Sequence, residues 1–117
     1  MAIGSETNGS LVTPAHACGV VAIKPTVGLT SRHGCVPISH TQDSIGSLGT
    51  TVADAAALLE AMVGRDTRDP TSLETPDDCN TGFTAALKNA SLKGKRIGVA
   101  RIDKKTLKQW VEDSLSQ

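Results

Sequence analysis

An α/β fold is what this sequence predicts, and three observations carry the prediction. Residues 17–24, ACGVVAIK, form a short run rich in Val and Ile that Pro25 closes, which suits a buried strand better than a helix. Residues 51–63 repeat apolar side chains at three- and four-residue spacing, the period of a helix packed on one side. Between such runs lie stretches rich in Gly, Ser, Thr and Pro, which interrupt either kind of element. The 117 residues suit one domain or part of one, since domains run about 100–200 residues.

Taken in order, residues 4–10, GSETNGS, are small and polar with glycine at each end of GSETNG, and are expected to turn rather than to form a buried strand or a helix interior. The strand at 17–24 follows. Residues 26–50 are expected to be long and irregular, with one short strand at 35–38. The helix over 51–63 opens on Thr51-Val-Ala-Asp54, a capping-box pattern with Asp in place of Glu or Gln. Its apolar face is Val52, Ala55, Ala56, Leu59, Met62 and Val63, and Gly64 is placed to stop it. Residues 65–82 hold two prolines and many Asp and Thr, as a surface loop does. A short helix at 83–89, a strand at 97–100 and a last helix with Leu107, Trp110, Val111 and Leu115 on one side complete the expectation.

Composition narrows the function. Lys plus Arg and Asp plus Glu are 12 each, so the net charge is zero and the basic excess that nucleic acid or an anionic membrane attracts is missing. No apolar run reaches membrane-spanning length, and the first residues lack a secretory pattern, so a cytoplasmic setting is expected. The three cysteines, Cys18, Cys35 and Cys79, are odd in number and widely spaced, and the three histidines have no metal-ligand spacing. No metal or cofactor is therefore expected. Aromatic residues make up 2%, so the core must come from small side chains, and completion of that core from outside this chain is expected.

The sharpest chemical feature is Glu6-Thr7-Asn8-Gly9-Ser10. A Ser closing a tight Gly-containing turn can present its hydroxyl to a carbonyl carbon while neighbouring amides hold the developing oxyanion. An ordinary surface turn has the same local pattern. The residue types of a triad occur at His40, Asp43 and Ser44, but closeness in sequence is not triad geometry. Cys18 is expected in the core, and residues 93–96 as a solvated turn.

Residues 2–30 resemble the core of the amidase signature family, whose pattern runs G-[ST]-D-x-G-G-S-[IL]-R-x-P-A and then C-G-V-V-G-[LI]-K-P-T-x-G. Gly4, Ser5, Gly9, Ser10, Leu11, Pro14 and Ala15 match the first part; Cys18, Gly19, Val20, Val21, Lys24, Pro25, Thr26 and Gly28 match the second. The likeness continues in order through Ser31-Arg32, Asp43, Ile45-Gly46, Thr51-Val52-Ala53-Asp54 and Lys93-Gly-Lys-Arg-Ile-Gly-Val99. The resemblance implies a mixed β-sheet flanked by helices, and a Ser acyl-enzyme that cleaves amide bonds. Ser10 would be the nucleophile, activated by a second Ser in a cis peptide and an unprotonated Lys. The amides of Thr7, Asn8, Gly9 and Ser10 would form the oxyanion hole. It also implies a small-molecule amide substrate, and assembly as a homo-oligomer or an amidotransferase-type complex.

The sequence departs from that pattern at several places. Asn8 replaces the first Gly of the pair, Glu6 replaces Asp, and Val12 replaces Arg, so a carboxylate at position 6 is expected to lose its partner. Ser47 stands where the family has Pro, and Thr50 where it has Arg. The family's Lys and its G-S-S-S-G run lie upstream of the nucleophile motif, and Lys24 matches the K-P-T position instead, with a structural role expected. The chain is thus expected to be an interior piece, residues 1–117 of a partial domain, inert without its activating base. The competing readings are a non-catalytic remnant acting as an interaction module, and an anion-binding loop at 4–10. Residues 39–43 are a candidate substrate-contact segment.

Overall fold

The computed structural model describes residues 1–80, 82–99, 105, 108 and 109. A three-stranded sheet forms the centre. Its strands are β1 (Ala2–Glu6), β2 (Val21–Ile23) and β3 (Ser44–Gly49), ordered β1-β3-β2, and both pairs are antiparallel. Helix α1 (Val12–Cys18) joins β1 to β2, and α2 (Val52–Met62) follows β3 and packs on the sheet. Helices α3 (Pro70–Leu73) and α4 (Phe83–Leu87) lie beyond, so sheet and helices give the expected α/β class.

The helix α2 matches its prediction closely. The Thr51 hydroxyl accepts the Asp54 amide at 3.1 Å, and the Asp54 carboxylate accepts the Thr51 amide at 3.0 Å, a reciprocal cap. Asp serves because the Thr50 and Thr51 hydroxyls also donate to it. Ala55, Ala56, Leu59 and Val63 are buried, whereas Val52 is exposed. The helix ends at Val63 in extended backbone rather than on a left-handed Gly64, because Val63 pairs in an isolated bridge with Thr30. Small residues let α2 approach the sheet closely. The Ser47 hydroxyl donates to the Ala55 carbonyl at 2.7 Å, and a Cβ on Gly49 would lie 2.6 Å from the Ala55 nitrogen. A core poor in aromatics is built here by close approach of backbones.

Five expectations are corrected. Residues 4–6 are not part of a turn: they complete β1, an edge strand whose residues are exposed or half-buried except for Glu6. The run 17–24 is divided, since α1 continues to Cys18 and Gly19 caps it at φ 65°, leaving a strand of only Val21–Ile23. Cys18 is accordingly exposed on the last turn of α1, not in the core. No strand forms at 35–38; the strand of that region is β3, whose Ser-Gly composition hides it. The 65–82 loop is also more than surface: Asp69 and Ser72 are buried, and Asp69 caps α3 while gripping Arg32 through paired contacts of 3.2 Å.

Toward the C-terminus, α4 agrees with the short helix expected at 83–89. Residues 97–99 form no strand, and 93–96 are exposed around a turn. Residue 100 and the stripe of Leu107, Trp110, Val111 and Leu115 lie outside the described residues.

Candidate active site

Thr7, Asn8, Gly9 and Ser10 occupy the tight connection between β1 and α1. A strand that runs straight into a helix leaves its connecting residues outside both ladders, where amides and a hydroxyl remain open to a ligand. Ser10 is exposed, and so is Asn8; Thr7 and Gly9 are half-buried. Gly9 takes φ 86°, the left-handed conformation the turn requires. No described residue other than glycine has positive φ, so Asn8 needs no left-handed backbone and its replacement of Gly is tolerated. The Gly9 carbonyl accepts the Thr13 amide at 2.8 Å and locks the turn onto α1. Among the described residues, no hydrogen-bond partner takes the amides of Asn8 and Ser10.

Leu11, next to Ser10, seats this loop. It is 1% exposed and fills a socket formed by two glycines that face each other across the sheet, Gly4 of β1 and Gly46 of β3. A Cβ at Gly4 would lie 2.8 Å from Leu11 Cδ2, and one at Gly46 would lie 2.5 Å from Cδ1. A side chain at either place would push Leu11, and with it Ser10, off the sheet.

Glu6 is the second anchor. Its carboxylate is buried and accepts the Leu11 amide at 2.6 Å and the Val12 amide at 2.9 Å. The expectation that it lacks a partner is thereby corrected: backbone amides of the α1 entry replace the absent Arg. Burial pushes the Glu6 carboxyl up, but donation from the Val12, Gly9 and Leu11 amides and the charge of Lys24 outweigh it, and the net shift is downward. Lys24 also donates to the Gln42 carbonyl at 3.3 Å, a structural role as expected.

Asp43 faces the other end of the loop. It accepts the Thr7 hydroxyl and the Ile38 and Ser39 amides. Donation from Thr7, then from Ile38, holds its carboxyl below the usual range. The Asp43 carboxylate is engaged by Thr7, Ile38 and Ser39 rather than by His40, and among the described residues the buried Ser44 hydroxyl has no partner, so these three residues are not joined as a triad. A cavity of about 240 Å³ opens beside Asp43, walled by Arg32, Cys35, Pro37, His40 and Asp69 among others. Ser10 does not line it. Sequence reasoning missed Arg32 and Asp69 as wall residues. The motif S-R marks Arg32, but its partner is 37 residues away and carries no local signal.

The arrangement can host nucleophilic attack by an exposed hydroxyl beside open amides; among the described residues no cluster of His, Cys, Asp and Glu could hold a metal ion. The family model described as Amidase matches residues 1–116. The A subunit of the glutamyl-tRNA(Gln) amidotransferase of Thermosynechococcus vestitus is 51% identical over 98 residues, covering 84% of this chain and 20% of that protein. A putative amidase of Arthroderma benhamiae is 46% identical over 99 residues, covering 85% of this chain and 17% of that protein. The native peptide amidase of Stenotrophomonas maltophilia superposes with a TM-score of 0.68 at 50% identity, over 74% of this chain and 18% of the other. The crystal structure of PAM12A superposes at 0.81 with 44% identity, over 98% of this chain and 24% of the other. The chain thus spans about a fifth of the length of the curated relatives it matches. With a matching family model along almost its whole length and a serine turn built as described, the chain belongs to the amidase family.

Proposed function

We propose that this chain carries the nucleophile of an amide hydrolase, with Ser10 as the residue acylated. The Ser10 oxygen attacks the amide carbonyl carbon, and the carbon–nitrogen bond breaks as the leaving amine takes up a proton. Water then cleaves the Ser10 ester and releases the acid. The amides of Thr7, Asn8, Gly9 and Ser10 stabilise the oxyanion in both halves. Removal of the Ser10 proton falls to the Ser-cisSer-Lys relay that the family resemblance implies, with the Lys as the base. Lys24 is not assigned as that base, because it matches a different family position and donates to the Gln42 carbonyl.

The observation that carries this reading is the exposed Ser10 hydroxyl on a turn whose Asn8 and Ser10 amides are taken by no described residue. A small-molecule amide is the substrate class it fits. The similarity both to amidases and to the A chains of amidotransferases leaves a stand-alone enzyme and a component of a complex as the two settings for the same chemistry. The test is labelling by a fluorophosphonate of the protein expressed from its own gene, with Ser10→Ala beside it. The wild type is expected to label and Ser10→Ala to stay unlabelled; equal labelling of the two removes Ser10 from the mechanism.

A further inference from the structure

The proposed oxyanion loop begins at Thr7, the first residue after the support of the β1 ladder ends at Glu6. A buried carboxylate from a distant part of the chain takes hold there. Asp43 is 7% exposed, and its Oδ1 accepts the Thr7 hydroxyl at 2.5 Å across 36 residues of sequence. Its Oδ2 accepts the amides of Ile38 at 2.8 Å and Ser39 at 2.9 Å. The Asp43 and Gln42 amides return to the Ser39 carbonyl, at 2.9 and 3.2 Å, so the carboxylate sits at the hub of a closed turn. The same residue lines the cavity of about 240 Å³.

The geometry points to Asp43 as a positioning residue that clamps the first amide of the oxyanion loop to the turn walling the cavity. This rests on the reading of Ser10 as nucleophile. The loop then has two fixed ends. Leu11 in its glycine socket holds the Ser10 end, and the Thr7–Asp43 bond holds the other. With its hydroxyl bound, Thr7 keeps one rotamer, and the peptide leading to Asn8 keeps one orientation. Asp43 is not assigned the Ser10 proton: among the described residues its carboxylate bonds to Thr7, Ile38 and Ser39, not to Ser10. Its contribution is to the direction of amides it does not itself carry. Because the clamp also includes the amides of residues 38 and 39, the cavity wall and the oxyanion loop keep a fixed spacing.

The rate of phosphonylation by a fluorophosphonate tests this on the protein expressed from its own gene, with the thermal midpoint measured alongside. Thr7→Val and Asp43→Asn are each expected to slow labelling about 10- to 100-fold, the scale of a misaligned site. Thr7→Ser, which keeps the hydroxyl, should recover most of the rate Thr7→Val loses. The double variant should lose less than the product of the two single losses, since both variants weaken the shared Thr7–Asp43 contact. A merely structural role would lower the thermal midpoint while leaving the labelling rate of folded protein unchanged. Labelling of Thr7→Val at the wild-type rate, or multiplicative losses in the double variant, overturns the clamp. If Asp43→Asn fails to fold, the Thr7→Val and Thr7→Ser pair decides alone. Ser10→Ala separates the two levels: labelling of Ser10→Ala at the wild-type rate, or none in the wild type, sinks the nucleophile reading and the clamp with it. Loss of labelling in Ser10→Ala with an unaffected Thr7→Val sinks only the clamp.

Discussion

At residue scale, the Glu6 carboxylate is buried, yet two amides of the following turn donate to it at 2.6 and 2.9 Å. A buried acceptor with these donors needs no side-chain cation, which is how Val12 can stand where the family pattern has Arg. Glu6→Ala would strand the Leu11 and Val12 amides, and is expected to cost about 1–3 kcal/mol, read by chemical denaturation. Ser44→Ala is expected to act the other way. Among the described residues the buried Ser44 hydroxyl has no partner, so its removal should be neutral or stabilising by up to about 1–3 kcal/mol. A clear loss of stability in Ser44→Ala would contradict that assignment. A turn at Gly9 and Ser10 was legible in the sequence from residue type, while the role proposed for Ser10 comes from the resemblance to the amidase signature pattern. The partner of Glu6 was not, because a backbone amide has no residue type to read. The Thr7–Asp43 bond was hidden for a different reason: 36 residues separate its ends.

At element scale, α2 was legible because its cap and its period both lie in adjacent residues. β3 was not, because Ser44-Ile-Gly-Ser-Leu-Gly49 lacks the β-branched and aromatic residues that mark a strand. Its small residues are instead what two neighbours require: Gly46 admits Leu11 and the Ile23 carbonyl, and Gly49 admits α2. The seven residues of α1 are too few to show a helical period, and Pro14 within its first turn obscures them further. Gly46→Ala is expected to destabilise by about 1–3 kcal/mol or more, since the new methyl meets fixed backbone as well as Leu11. It should also slow fluorophosphonate labelling by displacing the turn that carries Ser10. Thr51→Ala, which removes the cap of α2 far from that turn, should cost about 1 kcal/mol and leave the labelling rate of folded protein unchanged.

Across the whole molecule, the radius of gyration is 17.0 Å, where a compact domain of this length has about 13 Å. Met1, Ile3, Val36, Ile38, Leu92, Ile97 and Val99 are exposed, and the buried apolar set is mostly small. A shallow core leaves polar contacts a larger share of the stability. Glu6, Asp43, Asp54, Glu60, Asp66 and Asp69 are all held below the ordinary carboxyl values of 4.5 for Glu and 3.8 for Asp. Between the folded and unfolded values the unfolded chain binds more protons, so stability rises with pH there. The contribution is complete above the ordinary values and drains away as pH falls through the lower folded ones. The thermal midpoint is therefore expected to drop steeply below about pH 4. A midpoint unchanged from pH 5 to pH 3 would contradict these carboxylate contacts. The central claim concerns one oxygen, and peptide mapping by tandem mass spectrometry after fluorophosphonate treatment addresses it most directly. The account predicts a single phosphonyl adduct on Ser10; an adduct on another serine, or none, would contradict it.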